Sequence, residues 1–218
     1  MENICEKLTY YRNQLPPGGI LVAVSKTKTP EIIRQAYACG HRDFGENKVQ
    51  ELRAKHQVLP ADIRWHMIGH LQTNKVKYIA PFIWLIHSVD SEKLLHEIDR
   101  QAAKHHRVIP VLFQIKIAQE QTKYGMDEEV YHSVLRKYIE GHFPHVSLRG
   151  LMGMATFSDD RKQVRNEFAH LAKLYHELKK MLPGIAYLSM GMTGDYSEAL
   201  AEGANIIRIG SGIFGARN

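Results

Sequence analysis

The chain has 218 residues, 44% of them hydrophobic and 24% charged, enough to bury one substantial core and short of what two domains usually need. A net charge of +6 suggests nucleic acid, but the lysines and arginines are spread along the chain without a recognisable RNA or DNA module. A general pull on anionic partners is the better reading. The opening MENICEKLTYYRNQ has no long apolar run, and no stretch nears the ~20 apolar residues of a membrane span, so a cytoplasmic protein is expected. Cys5 and Cys39 are too few for a disulfide framework and lack the paired spacing of a zinc site, which fits a reducing compartment.

In chain order, residues 1–15 read as an extra helix, and Pro16-Pro17-Gly18-Gly19 as the turn into a first strand, Ile20–Val24. Further apolar runs follow at Arg42–Phe44, Arg64–Ile68, Trp84–His87, Ile109–Ile115, Ser147–Met152, Ile185–Ser189 and Asn205–Ile209. Helical spacing or helix-start chemistry marks Pro30–Ala38, Glu46–His56, Asn74–Ala80, Ser91–His105, Met126–Ile139, Asp160–Met181 and Tyr196–Ala201. Pro30 suits a first helical position, Ser91 suits a cap, and Gly40 and Gly141 stand as stop signals. Eight strands alternating with helices predict an α/β fold, a single-domain (β/α)8 TIM barrel over residues 1–218. An open doubly wound sheet ranks lower, because no Gly-rich dinucleotide fingerprint follows the first strand.

In such a barrel the chemistry collects where strands end at their C-terminal side. There stand Lys26, then Glu46 and Asn47, then His66 with Gly69-His70, then Met154, Ser189-Met-Gly-Met-Thr193 and Arg208-Ile-Gly210-Ser211-Gly212. Lys26 follows Leu-Val-Ala-Val-Ser, so its stem lies in the barrel and its amine at the rim. Partial desolvation there favours the neutral amine that a carbonyl-bearing cofactor requires. By position alone it serves equally well as a rim lysine paired with a carboxylate. The two Gly-rich segments occupy the customary phosphate-binding place of this fold. Their glycines let backbone N–H groups approach an anion, and Ser189, Thr193 and Ser211 add hydroxyls. A lysine facing such loops describes a site for a phosphorylated aldehyde. His66 and His70 have i, i+4 spacing but straddle a strand end and a turn. His66 is therefore read as a hydrogen-bonded core or rim residue, and no metal site is assigned.

The motifs Ala-Val-Ser-Lys26-Thr-Lys, Phe-Gly-Glu-Asn47-x-x-Gln-Glu, Trp65-His-x-Ile-Gly-His-Leu-Gln-x-Asn-Lys75, Gly150-Leu-Met-Gly-Met154, Ser189-x-Gly-Met-Thr-x-Asp195 and Arg208-Ile-Gly-Ser-x-Ile-Phe-Gly215 are those of a known family. From about Leu21 to Arg217 the chain resembles the pyridoxal phosphate homeostasis proteins, barrel proteins of the alanine racemase N-terminal type. The resemblance implies that pyridoxal 5′-phosphate (PLP) is held as a Schiff base on Lys26 and that Asn47 lines its ring. It also implies that Ser189, Thr193, Gly210 and Ser211 hold the phosphate and that Arg208 faces the ring nitrogen. Thr193 and Ser211 stand where many relatives have serine and threonine, and His70 stands where proline is frequent.

Arginine cannot take a proton from a pyridinium, since its own pKa exceeds ~12, so an Arg208 partner weakens the cofactor as an electron sink. The resembled racemases draw their second base from a subunit arrangement that depends on a C-terminal β-domain, which a chain stopping at Asn218 is expected to lack. The expectation is a monomeric PLP-binding protein of intracellular vitamin B6 homeostasis, not an enzyme, with PLP-dependent apoenzymes as partners and no catalytic residue assigned. The alternatives are a weak PLP-dependent amino-acid racemase and a phosphate-binding barrel enzyme without PLP.

Overall fold

A computed structural model describes residues 3–118 and 124–215. Among the described residues, eight parallel strands close into a barrel in sequence order: β1 (Ile20–Val24), β2 (Asp43–Glu46), β3 (Arg64–Met67), β4 (Leu85–Val89), β5 (Ile109–Gln114), β6 (Val146–Met152), β7 (Tyr187–Ser189) and β8 (Ile206–Ile209). Closure is made by β1 on β8, with Ile20 opposite Ile206 and Ala23 opposite Ile209. The predicted TIM barrel is the fold observed.

Helices α1 (Ile4–Asn13), α2 (Pro30–Ala38), α3 (Val49–Val58), α4 (Glu92–Lys104), α5 (Glu128–Ile139), α6 (Arg161–Met181), α7 (Tyr196–Ala201) and α8 (Ser211–Phe214) surround it. Their starts follow from local chemistry. Ser91 Oγ accepts from the Leu94 N–H, Asp127 from the Val130 N–H, and Asp160 from the Lys162 and Gln163 N–H groups. Pro30 opens α2 as predicted. Asn74–Ala80 is a 3₁₀ turn at Thr73–Tyr78 instead of an α-helix, and α8 stands where the sequence showed only a Gly-rich segment.

Alternation along β1 divides the apolar residues between two layers. Leu21 and Ala23 join the large cluster between sheet and helices, whereas Val22 and Val24 join Leu85, Leu112, Met152 and Ile206 in a second, smaller cluster. Gly150 in β6 sits at φ 153°, where a Cβ would come within 1.7 Å of the Tyr187 carbonyl oxygen. Here β6 gains an extra residue against β5, and only glycine lets it stay paired with β7.

Two further sequence readings change. Glu46, read as opening a helix, ends β2 and is wholly buried, and its helix begins three residues later at Val49. Cys5 and Cys39 form a disulfide, with 5.3 Å between their Cα atoms, tying α1 to the end of α2. Their separation of 34 positions in sequence hid the pairing, which the packing of α1 on α2 creates. No helix among the described residues is long and apolar enough to cross a membrane.

Candidate functional site

The C-terminal ends of β1, β6, β7 and β8 surround a cleft of about 520 Å³. Lys26, Thr193, Arg208, Gly210 and Ser211 all line it, and the loop Ala155–Asp159 forms one wall, with the Phe157 ring almost wholly exposed. The lining cations Lys26, Lys28, Arg161 and Arg208 outnumber the carboxylates Asp159 and Asp195, a balance that suits an anionic ligand. Burial pushes the Asp195 carboxyl up from its ordinary value, and its Oδ1 accepts from the Met192 N–H at 2.6 Å.

The two Gly-rich segments meet here. Thr193 Oγ1 accepts from the Gly212 N–H at 3.4 Å, and Arg161 donates to the Gly194 carbonyl at 2.6 Å. Gly191, at φ 90°, lets α7 approach so closely that a Cβ would lie 2.6 Å from that of Ala199. Tyr11 of α1 reaches under the second segment, where a Cβ on Gly212 would lie 2.2 Å from its hydroxyl.

Lys26 follows β1 and is half-buried. The next residue, Thr27, is held at φ 66°, and its N–H donates to Glu51 Oε1 at 2.5 Å. Glu51 in turn accepts from Lys55 Nζ at 2.6 Å, and Lys55 also reaches Glu46 Oε1 at 2.8 Å and the Ser25 carbonyl at 2.7 Å. A buried ammonium thus bridges two carboxylates and the strand end that presents Lys26. Burial pushes the Glu46 carboxyl up, against the pull of Lys55, and its Oε2 has no hydrogen-bond partner among the described residues. Lys55→Met strands both carboxylates beside the barrel, so it is expected to cost about 3–5 kcal/mol in a urea unfolding series. A loss under 1 kcal/mol would show that the bridge is dispensable.

Two predicted residues stand apart from the cleft lining. Asn47 is half-buried behind β2, its backbone so close to Gly69 that a Cβ there would lie 2.5 Å from the Asn47 oxygen. Ser189 is wholly buried, accepting from Arg208 Nη1 at 2.6 Å and lying 2.9 Å from His87 Nδ1. Arg208 also donates to the Gly153 carbonyl at 3.0 Å, and burial lowers it to about 10, still protonated at neutral pH. His66 is a buried, hydrogen-bonded core residue, as read, while His70 lies 3.0 Å from Asp90 and stacks on Tyr124. Sequence reasoning missed Asp43, His87, Glu51 and Lys55. The available signal was polar residues inside an apolar strand, as with His87 and Ser88 between Ile86 and Val89.

Comparison with known proteins agrees with this fold. The family described as alanine racemase, N-terminal domain, matches residues 1–218. A pyridoxal phosphate homeostasis protein of Aquifex aeolicus is 40% identical over 199 residues, covering 90% of this chain and 86% of its own. One from Vibrio alginolyticus is 36% identical over 227 residues, covering all of this chain and 96% of its own. The structure of PipY from Synechococcus elongatus with PLP bound superposes with a TM-score of 0.88 at 37% identity, covering 97% of this chain and all of PipY. An alanine racemase from Bartonella henselae shares the fold, with a TM-score of 0.76 at 14% identity over 98% of this chain and 58% of the racemase. With a matching barrel and near full-length relatives, the chain belongs to the pyridoxal phosphate homeostasis protein family, within the alanine racemase N-terminal domain family.

Proposed function

We propose that this chain binds PLP in the cleft as a Schiff base on Lys26 and serves intracellular vitamin B6 homeostasis as a carrier in the cytoplasm. The observation that carries the reading is the meeting, in one cleft with a cationic excess, of Lys26 with Thr193, Gly210, Ser211 and Arg208. The residues fit the group. Thr193 and Ser211 offer hydroxyls to a phosphate, Gly210 leaves its backbone open to close approach, and Arg208 offers N–H donors to a ring nitrogen. Ser189 contributes through Arg208, and Asn47 flanks the strand end. When bound, the cofactor supplies an aldehyde that exchanges between amines.

Arg208 favours the carrier over carbanion chemistry. It stays cationic and donates, so it keeps a ring nitrogen unprotonated. The same reading makes the chain a monomer that passes PLP to PLP-dependent apoenzymes. Borohydride reduction of the loaded protein followed by peptide mapping tests attachment, and the mass of PLP is expected on Lys26. A wild type that takes up no PLP, or carries it only on other lysines, overturns the proposal. Incubating the loaded protein with L-alanine in D2O tests the class of function. Deuterium at Cα, with racemisation at an enzymatic rate, would make the chain a racemase.

A further inference from the structure

Five buried polar groups cross the barrel from its N-terminal end to the cleft: Asp43 in β2, His66 in β3, His87 in β4, Ser189 in β7 and Arg208 in β8. Asp43 Oδ1 lies 3.1 Å from His66 Nε2, His66 Nδ1 lies 2.9 Å from His87 Nε2, and His87 Nδ1 lies 2.9 Å from Ser189 Oγ. Arg208 Nη1 completes the chain at 2.6 Å from Ser189 Oγ. At the other end Asp43 pairs with Arg64, whose side chain is 48% exposed at the face opposite the cleft.

Counting protons fixes the direction of every bond. Burial pushes the Asp43 carboxyl up, but hydrogen bonds from His66 and Arg64 outweigh it and hold it down to about 2, so Asp43 accepts. Burial lowers both histidines, His87 well below the ordinary value, so each is neutral with one N–H. His66 must then donate from Nε2 to Asp43 and accept at Nδ1. His87 must donate from Nε2 to His66 and accept at Nδ1 from the Ser189 hydroxyl. Ser189 Oγ is left as acceptor for Arg208. From Arg208 to Ser189, His87, His66 and Asp43 each of these bonds runs away from the cleft, and no ring nitrogen or hydroxyl among these five groups lacks a partner.

We propose that Asp43, His66, His87 and Ser189 are positioning residues, a one-way hydrogen-bond chain that anchors Arg208 so that a donor always faces the ring nitrogen of the cofactor. The role rests on the PLP reading above. A barrel interior filled by branched apolar residues would avoid burying five polar groups. Such a network specifies one arrangement when fully satisfied, and here that arrangement ends on the guanidinium at the cleft.

Nitrogen-15 NMR of the histidine rings tests the direction, and ¹⁵N-labelled PLP tests the consequence. The wild type is expected to carry Nε2–H on both His66 and His87. Asp43→Asn lets an amide donate to His66, so both tautomers should invert, the ring-nitrogen resonance of bound PLP should move, and the Kd for PLP should rise about tenfold. Asp43→Asn also disturbs Arg64. If that variant fails to fold, Ser189→Ala, which deletes one oxygen at the other end, is expected to move the same resonance. Nδ1–H on either wild-type histidine would overturn the proposal. So would a folded variant whose ring-nitrogen resonance and Kd match the wild type. A wild type that takes up no PLP fails the parent reading instead. The Nε2–H tautomers, with slowly exchanging Arg208 N–H groups that either variant releases, would still uphold the anchoring of Arg208.

Discussion

Replacing Lys26 with alanine is expected to weaken PLP binding by about a hundredfold or more, roughly 3 kcal/mol, and to abolish the visible absorption band of the loaded protein. The phosphate contacts proposed for Thr193, Gly210 and Ser211 survive this change, so what is lost is the reversible covalent tether and one positive charge. Lys26→Arg separates the two. It keeps the charge but offers no amine for an imine, so it should bind nearly as poorly as the alanine variant. Near wild-type affinity in Lys26→Arg would reduce Lys26 to an ionic contact. The fold should withstand both changes, because Lys26 is half-buried at the rim, and the Glu46–Lys55–Glu51 bridge that holds the strand end is untouched.

Unfolding free energy is expected to fall steeply as the pH drops from about 6 towards 4, which urea midpoints taken at several pH values would measure. Three buried histidines set this window. His41, lowered to about 4 by burial, accepts from Arg12 at Nδ1 and donates from Nε2 to the Asp43 carbonyl, so it has no room for a second proton. His66 and His87 are lowered by burial in the interior chain. In the unfolded chain all three protonate near 6.5, whereas in the folded protein they stay neutral. The unfolded state therefore binds more protons below that value. Stability is full above the unfolded value and is lost as the pH falls towards the folded ones, at about 4 kcal/mol per pH unit while all three differ. Asp43 does not contribute here. Its carboxyl, ionised in both states down to about 4, adds stability that is lost only at lower pH, towards its folded value of about 2. His41→Gln should flatten the slope by about a third. A stability unchanged between pH 7 and 5 would mean that these histidines are not neutral in the folded state.

Most of the strand and helix order was legible because periodicity and caps are local. All eight apolar runs became strands, and Pro30–Ala38 and Tyr196–Ala201 are helices with the expected bounds. The second strand was misplaced at its end because Gly-Glu-Asn reads as a polar turn. Glu46 is drawn inside by Lys55, nine residues on, which no local pattern reveals. Of the site, Lys26, Thr193, Gly210, Ser211 and Arg208 could be placed at strand ends from sequence and do line one cleft. Ser189 was legible as a hydroxyl in the right motif, but its direction was not, because a strand's last residue can point to the loop or into the barrel.

By itself, the sequence determined the βα repeat, the residues at each strand end and the family, since each depends on short-range spacing or ordered motifs. Only the tertiary structure decided the Cys5–Cys39 bond, the Lys55 bridge and the chain from Asp43 to Arg208. These join residues from separate strands and helices, and the last of them needs β8 to close on β1, a contact between the two ends of the sheet whose partners local periodicity cannot name.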